Sequence, residues 1–312
     1  MCTLRIESFM RSHFSFFGIF ISWLYLQGHL EVKNKRLLIV GCGKLGQQVG
    51  LFAKDMPLDL IGLKRKKITS TNLKILEQDI FEESFFDKVK NFSPHFIIYC
   101  LSSDSPSEKS YQKNYVDGLK QVIESTKYSK NFQHLFFISS TSVYGENSGQ
   151  FIDEFSETAP ENYRGIILLE AERLMESVDF NYTVIRLSGI YGTGRNYMIN
   201  LSQDIARWPE FDRWTNRVNE QDAARFILFL ITQCLNNEVP EKLYLLSDKD
   251  PVRLYDLLNW IRQQLNLNEN SKSNLRPVLG KRLRSLIIPT LKFKYKFPSY
   301  KLGYKKLLNE EK

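Results

Sequence analysis

The stretch Arg36–Gly50, RLLIVGCGKLGQQVG, constrains the fold of this chain more than any other. Its apolar run Leu37–Val40 is β-branched at the end and lacks helical periodicity, which predicts a buried parallel strand. Gly41, Gly43 and Gly46 follow in the spacing G-x-G-x-x-G. Such glycines permit a tight turn, the approach of a pyrophosphate and close helix–strand packing, in that order. The pattern predicts a dinucleotide site, provided that strands and helices continue to alternate beyond it.

The composition narrows the class of partner. With 312 residues, 43% of them hydrophobic, the chain can bury a large core. A net charge of +8 would suit a nucleic acid, but the basic residues are dispersed, apart from Lys64–Lys67 and a cluster between Lys281 and Lys306. We therefore expect a small-molecule, anionic ligand and no nucleic acid.

Cysteines and histidines predict neither a disulfide framework nor a metal site. The four histidines are scattered singly, so no metal ion is expected. The cysteines show no C-x-x-C pair, which indicates free thiols in a reducing compartment, and we predict a cytoplasmic protein. The four cysteines are Cys2, Cys42, Cys100 and Cys234.

Residues 1–32 do not share the pattern that begins at Lys35. Phe14–Leu26 is mostly apolar and follows two arginines, like a signal peptide, but no small-residue cleavage site follows it. It is also shorter than the roughly 20 apolar residues of a membrane span. An uncleaved or spurious leader and a targeting or membrane-anchoring segment both remain open. In either case we place these residues outside the fold, and membrane contact is expected only if the segment is a true anchor.

From Lys35 onward, strand and helix signals alternate. This alternation predicts an α/β fold: a doubly wound parallel sheet of the Rossmann type over residues 33–188, with a smaller C-terminal substrate domain over residues 189–312. After the first strand, the predicted strands are Leu58–Leu63, Leu73–Leu76, Phe96–Leu101, Leu135–Ile138, Tyr182–Leu187 and Lys242–Leu246. The predicted helices are Leu45–Lys54, Gln112–Tyr128, Asp222–Leu235 and Leu254–Leu265.

Residues at the carboxyl ends of these strands are the candidates for cofactor binding. Lys64 and Arg65 follow the second strand, where a fold that prefers NAD usually has an acidic residue. We therefore predict NADP as the cofactor, with NAD as the alternative. Asp79 is a candidate contact to the adenine. The predicted cofactor-binding residues are Gly41, Gly43, Lys44, Leu45, Gly46, Lys64, Arg65, Asp79, Leu101, Ser102 and Ser139.

A longer motif follows the fifth predicted strand. Ser139–Gly145, SSTSVYG, resembles the SSxSVYG motif of extended short-chain dehydrogenases/reductases, the nucleotide-sugar epimerase and dehydratase family. Asn114–Gly118, Arg186–Arg195 and Asn219–Ala224 are similar to further motifs of that family. The G-x-G-x-x-G spacing and Phe297–Tyr304 resemble its atypical, YeeZ-like branch. The resemblance covers about residues 35 to 305 and implies a Rossmann fold, a nicotinamide cofactor and a homodimer formed through the fourth and fifth helices.

The residue pair that this family uses for proton transfer is missing. Ordinary members carry Tyr-x-x-x-Lys on one helix face, where the lysine lowers the pKa of the tyrosine. Here Tyr163 is followed four residues later by Ile167. A second register, set by a similarity to the family's AERLL segment, puts Arg164 and Leu168 at the two positions. Ser140 matches the family's catalytic serine, so Ser140 and Tyr163 are the catalytic candidates.

Two functions of different classes remain open. In the first, the chain is an oxidoreductase or epimerase that uses an unfamiliar acid, such as Tyr163, Tyr144 or Arg164, on a nucleotide-sugar or small carbonyl substrate. Arg186 and Arg195 would then hold an anionic substrate, although both could instead pair with carboxylates of the protein. In the second, the chain is a catalytically inactive NADP-binding sensor or partner-binding protein.

Overall fold

Seven strands of the computed structural model form one parallel sheet in the order β7-β6-β5-β4-β1-β2-β3. The structure describes residues 34–66, 73–145, 147–269 and 279–310. The order reverses between β1 and β4, which is the topological switch point of a doubly wound sheet. The predicted fold class is therefore confirmed. The strands are β1 (Lys35–Val40), β2 (Leu58–Lys64), β3 (Lys74–Glu77), β4 (Phe96–Tyr99), β5 (His134–Ser140), β6 (Tyr182–Leu187) and β7 (Leu243–Leu246).

Helices cover both faces of this sheet because successive residues of each strand point to opposite sides. In β4, Ile97 and Tyr99 belong to one hydrophobic core, and Phe96 and Ile98 belong to the other. The first core includes residues of α2, α4 and α5, and the second includes residues of α1 and α7. These helices are α1 (Lys44–Phe52), α2 (Ser84–Phe92), α3 (Glu108–Tyr111), α4 (Gly118–Ser125), α5 (Tyr163–Glu176), α6 (Tyr197–Gln203) and α7 (Glu220–Leu235).

The predicted helix Gln112–Tyr128 differs from the observed one. A π-helical segment, Gln112–Asp117, lies between α3 and α4, and a 3₁₀ turn follows α4. The reason lies in the buried Tyr99, whose hydroxyl donates a hydrogen bond to the backbone oxygen of Asn114. A π turn releases a carbonyl oxygen from the regular helical ladder, and here that oxygen meets a buried donor.

The C-terminal part of the chain is built on a third core. Helices α8 (Leu254–Gln264) and α9 (Tyr300–Glu310) contribute Ile261 and Tyr304 to it, together with Tyr191 and Ile199. Residues Lys35–Lys312 form one unit, and Met1–Asn34 form another, of which only Asn34 is described. The predicted boundary after residue 188 remains a prediction.

Short two-stranded pairs complete the described fold. Gly189–Tyr191 follows β6 and pairs in parallel with Arg217–Asn219. Phe151–Ile152 pairs in parallel with Arg282–Leu283, and Trp214–Thr215 pairs antiparallel with Val252–Arg253. Within the described residues, no helix is long and apolar enough to span a membrane. The apolar leader predicted over residues 1–32 lies outside the described residues.

Candidate functional site

A cavity of about 860 Å³ lies along the carboxyl edge of the sheet. Residues at or just after the ends of β1 to β6 line it, which places the cavity over the switch point between β1 and β4. Ligands of doubly wound sheets bind at this position. Of the sequence-predicted residues, the wall contains Gly41, Gly43, Lys44, Leu45, Lys64, Arg65, Asp79, Leu101, Ser102, Ser139, Ser140 and Arg195.

Two of the three glycines have no space for a side chain. Gly41 has φ +86°, and a Cβ there would lie 2.6 Å from the backbone nitrogen of Leu101. A Cβ on Gly46 would lie 2.9 Å from Cγ2 of Ile39, on β1. Gly46 therefore lets α1 pack closely on β1, and it is not among the described residues of the cavity wall.

Gly43 faces open space. Within the described part of the chain, a Cβ built on Gly43 would contact only the Gly41 oxygen, at 3.8 Å, apart from its neighbours along the chain and the backbone of its own helix. Gly43 is the N-cap of α1, whose first intrahelical hydrogen bond runs from the Gln47 N–H to the Gly43 oxygen at 2.9 Å. The N–H groups of the first helical turn therefore have no intrahelical acceptor. Such a helix start fits the diphosphate of a dinucleotide.

Basic residues line the end of the cavity next to the carboxyl ends of β2 and β3. Lys64, Arg65 and Lys66 line the wall there, together with Asp79 and Phe81. Arg65 forms a two-pronged ion pair with the Asp104 carboxylate, in which Nη1 lies 2.9 Å from Oδ2 and Nη2 contacts Oδ1. The Asp79 carboxylate accepts the N–H of Phe81 at 3.0 Å and so fixes the turn after β3. The structure therefore brings these cations and the Asp79 carboxylate together at one end of the cavity.

At the other end, two cations face the cavity from different parts of the chain. Lys44, on the first turn of α1, donates a hydrogen bond to the Gly194 oxygen at 2.5 Å. Arg195 lines the wall and forms an ion pair with Glu220, with 3.2 Å between Nε and Oε2. The Arg195 side chain is 32% exposed, so its guanidinium can contact a ligand while it keeps this partner. Lys44 thus connects the glycine turn with the loop that carries Arg195.

Arg186 does not have the predicted substrate-binding position. Its buried guanidinium pairs with Glu172 at 2.6 Å and donates to the Tyr144 hydroxyl at 2.8 Å. Ser139 donates to the same Glu172 carboxylate at 2.5 Å. Arg186 is absent from the described cavity wall, and the structure favours the alternative in which it pairs within the protein. A buried ion pair with further hydrogen bonds suits a structural role at the ends of β5 and β6.

Of the candidates for proton transfer, Ser140 lines the cavity, whereas Tyr163 and Arg164 do not. The Tyr163 hydroxyl donates to the Pro106 oxygen at 2.7 Å, and neither Tyr163 nor Arg164 belongs to the described wall. Ser140 does line it, while its hydroxyl oxygen also accepts the Ser142 N–H at 3.2 Å. Ser140 therefore lies on the cavity wall and also caps the loop that follows β5.

The two registers of the missing pair place different residues of α5 at the cavity. In the first register, neither Tyr163 nor Ile167 belongs to the described wall, and Ile167 is buried in the first core. In the second register, Arg164 at the tyrosine position is absent from the described wall, and Leu168 at the lysine position lies on it. An aliphatic side chain at this place cannot lower the pKa of a neighbouring hydroxyl.

Among the wall residues that were not predicted as site residues, three carry an ionisable side chain of chemical interest: Tyr115, Asp104 and Cys100. Tyr115 is the only tyrosine on the wall within the described part of the chain, and burial raises its pKa to about 12. It lies in the π-helical segment, whose phase helical periodicity does not predict. Asp104 follows β4 in a serine-rich loop that carries no recognisable motif. Burial also raises the pKa of the Cys100 thiol, so this wall residue is a poor nucleophile.

Among the residues that the structure describes, no group of three or more His, Cys, Asp or Glu side chains is arranged to hold a metal ion. The described wall of the cavity offers cations, hydroxyls and the carboxylates of Asp79 and Asp104, next to the backbone N–H groups at the start of α1. Such groups suit a phosphorylated organic molecule, which is the kind of ligand that a dinucleotide-binding fold holds.

The sheet order, the glycine turn and the cavity define an extended short-chain dehydrogenase/reductase of an atypical kind. A family model described as the RmlD substrate binding domain matches residues 35–284, and the chain belongs to this family. No curated protein matches it significantly.

Solved structures share the whole fold. A protein from Methylobacillus flagellatus assigned to the NAD-dependent epimerases/dehydratases is 29% identical, with a TM-score of 0.81 over 89% of this chain and 99% of that one. UDP-glucuronic acid 4-epimerase from Bacillus cereus, solved in complex with NAD, is 14% identical, with a TM-score of 0.70 over 88% and 99% of the two chains. A dTDP-4-dehydrorhamnose reductase from Clostridium acetobutylicum is 19% identical, with a TM-score of 0.67 over 88% and 99%. The latter two show the fold alone.

Proposed function

We propose that this protein binds a nicotinamide dinucleotide along the carboxyl edge of its sheet and acts as an oxidoreductase or epimerase on a nucleotide-linked sugar or small carbonyl compound. The observation that carries the proposal is the single continuous cavity. It joins the start of α1 to the basic residues after β2 in one direction and to Ser140 and Arg195 in the other. Family membership and the M. flagellatus structure support the same class of ligand.

Different residues of the cavity bind different parts of the proposed ligand. The N–H groups that follow Gly43 hold the diphosphate, because they point into open space at a positive helix end. Asp79 and Phe81 flank the adenosine, and Ser139 and Ser140 border the nicotinamide end. The bound cofactor would supply or accept a hydride.

The loop after β6 that carries Gly194 and Arg195 recognises the substrate in this proposal. Arg195 offers a cation to an anionic group such as a phosphate, and Glu220 keeps its guanidinium oriented. Lys44 contributes a second positive charge nearby through its contact with Gly194. A diphosphate-linked substrate matches this charge better than a neutral sugar does.

The finer proposal is that the cofactor is NADP. Lys64 and Lys66 line the adenosine end next to Arg65, and no ion-pair partner of the two lysines occurs within the described residues. Positive charge at this point favours a 2′-phosphate over a 2′-hydroxyl.

The proposal is tested by binding and by turnover. Native mass spectrometry of the purified protein identifies any copurifying nucleotide, and calorimetry measures the affinities for NADP and NAD. Hydride transfer is then followed by nicotinamide absorbance with a panel of nucleotide sugars and small aldehydes. Binding with turnover supports the proposal, and binding without turnover on any panel member supports the sensor or partner-binding alternative. Failure to bind either dinucleotide overturns both.

We also place the protein in the cytoplasm and expect a homodimer. Three cysteines, Cys42, Cys100 and Cys234, are free in the described part of the chain, which suits a reducing compartment. The expectation of a dimer is based on the resemblance to a family whose members dimerise through their fourth and fifth helices. Light scattering coupled to gel filtration distinguishes a dimer from a monomer.

A further inference from the structure

We propose that Asp104 is a specificity-determining residue: it holds the guanidinium of Arg65 and thereby limits how strongly the adenosine end of the cavity favours a 2′-phosphate. This inference rests on the proposed function, because it concerns the nucleotide that the same cavity binds.

The ion pair lies where the ribose of the adenosine would bind. Arg65 follows β2, Asp104 follows β4, and both residues line the cavity. Both guanidinium nitrogens Nη1 and Nη2 contact the carboxylate, one on each oxygen. The two side chains are each 46% exposed, so the pair borders the open cavity and is not part of the core. A guanidinium held in this way has fewer donors left for a ligand.

The carboxylate is fixed from its own side. The Asp104 backbone N–H donates to the Ser110 hydroxyl at 3.1 Å, and the Asn114 side-chain amide donates to Oδ2 of Asp104 at 3.3 Å. The Ser103 hydroxyl contacts the same Ser110 hydroxyl at 2.9 Å. Ser107 caps α3 by accepting the Ser110 N–H, which joins the loop to the helix. The loop therefore presents Asp104 to Arg65 in a preorganised position.

Charge determines what this arrangement does to a ligand. Hydrogen bonding from Arg65 holds the pKa of Asp104 below its usual range, so the carboxylate is ionised at neutral pH and the pair has no net charge. A 2′-phosphate must therefore draw Arg65 away from Asp104 before it can use the donors of the guanidinium. A 2′-hydroxyl does not need these donors and avoids this conflict. The preference for NADP then rests on Lys64 and Lys66, and Asp104 opposes it.

The test compares affinity ratios for NADP and NAD, measured by calorimetry, in wild type and in Asp104→Asn, Arg65→Gln and the double variant. We expect Asp104→Asn to raise the NADP-to-NAD affinity ratio by about fivefold or more, because it frees the guanidinium while keeping the side-chain shape. Arg65→Gln should lower the ratio. In the Arg65→Gln background, Asp104→Asn should have less than half of its effect on a logarithmic scale, because its target is gone.

Asp117→Asn is the matched control, since Asp117 is exposed, lies on the neighbouring π-helical segment and is not part of the described wall. Its ratio should equal that of wild type. Circular dichroism verifies that each variant is folded, and Asp104→Ser replaces Asp104→Asn if the latter is not. An unchanged ratio in a folded Asp104 variant that still binds NAD overturns the inference and leaves the proposed function intact. The same is true of an equal effect in both backgrounds. Failure of wild type to bind either nucleotide overturns the inference together with the proposed function.

Discussion

At the scale of single residues, Gly43 is a position where a substitution can affect ligand binding without affecting folding. Its backbone conformation, with φ −79°, is accessible to any residue, and the space above it is open. We predict that Gly43→Val abolishes dinucleotide binding without unfolding the protein, because its side chain would occupy the path of the diphosphate. Calorimetric titration of the folded variant measures this loss.

Gly46→Val is the contrasting variant. A side chain at Gly46 would meet Ile39 of β1, so we expect loss of stability as well as of binding. Thermal unfolding followed by circular dichroism distinguishes the two variants. Wild-type affinity in folded Gly43→Val would show that the diphosphate does not approach this turn.

Tyr163 can be separated from catalysis in the same way. Its hydroxyl donates to the Pro106 oxygen and is not part of the described wall, and Ile167 stands where the activating lysine would follow it. We predict that Tyr163→Phe keeps any hydride-transfer activity within about tenfold of wild type, since a general acid or base typically contributes a hundredfold or more. Initial rates under saturating cofactor measure the effect.

Ser140→Ala is the companion variant, because Ser140 does line the cavity. A loss of a hundredfold or more in Tyr163→Phe would show that Tyr163 is the proton donor although no lysine follows it four residues later. A loss of that size in Ser140→Ala alone would show that the Ser140 hydroxyl, and not that of Tyr163, contacts the reacting group.

At the scale of elements, the sequence predicted strands better than it predicted the residues around the site. β6 was predicted with its observed limits, Tyr182–Leu187, because a short run rich in β-branched and aromatic residues is typical of a buried strand. The π-helical turn could not be predicted, since it depends on a hydrogen bond from Tyr99, a residue of another element. For the same reason the sequence left open whether Arg186 faces a ligand or, as observed, Glu172.

Helix α9 illustrates how an element remote in sequence supports the cavity. The ring of Tyr304 stacks on Tyr191, with 4.4 Å between centroids, and a Cβ on Gly303 would overlap the Tyr191 hydroxyl. Tyr191 immediately precedes the loop that carries Arg195. The C-terminal helix therefore holds the substrate side of the cavity in place.

We predict that Gly303→Ala lowers the free energy of unfolding by about 1–3 kcal/mol, the usual cost of overpacking a buried contact. Gly303 lies inside a helix, where alanine alone would be favourable, so a loss reports on the contact with Tyr191. Urea unfolding measures it. Leu302→Ala is the matched control, because Leu302 is 53% exposed and its removal should cost little. Equal stability of wild type and Gly303→Ala would contradict the docking of α9 on Tyr191.

At the scale of the whole molecule, the order of glycine turn, apolar strands and helices was sufficient to predict a doubly wound sheet, and the structure confirms it. The cavity was predictable in outline because carboxyl ends of parallel strands meet at one edge. Long-range partners were not: Arg65 and Asp104 are 39 residues apart, and their contact depends on the order of the strands. Spacing along the chain carries no information on such pairs.

A buried carboxyl, that of Asp248, lies outside the described wall of the cavity. It is 4% exposed, its Oδ1 accepts the Asp250 N–H at 3.1 Å, and its Oδ2 has no hydrogen-bond partner within the described residues. Burial raises the pKa of Asp248 to about 8, against an opposing contribution from the buried Arg217. In the unfolded chain this carboxyl has its ordinary pKa of about 4. The folded protein therefore binds a proton that the unfolded chain releases above about pH 4.

Because unfolding then releases a proton, the stability due to Asp248 is fully present below about pH 4 and is lost as pH rises through about 8. Burial lowers the pKa of His95 and His134 to about 4, which gives the opposite slope, but only up to the ordinary histidine value of about 6.5. Between about pH 6.5 and pH 8.5, we predict that wild type loses about 1–2 kcal/mol of unfolding free energy. Asp248→Asn, which cannot ionise, should show little of this loss.

Urea unfolding at the two pH values measures both slopes, and Asp55→Asn serves as the control because the Asp55 side chain is 86% exposed. This control should retain the wild-type loss. Equal pH dependence in wild type and Asp248→Asn would show that the Asp248 carboxylate is ionised and paired in the folded protein.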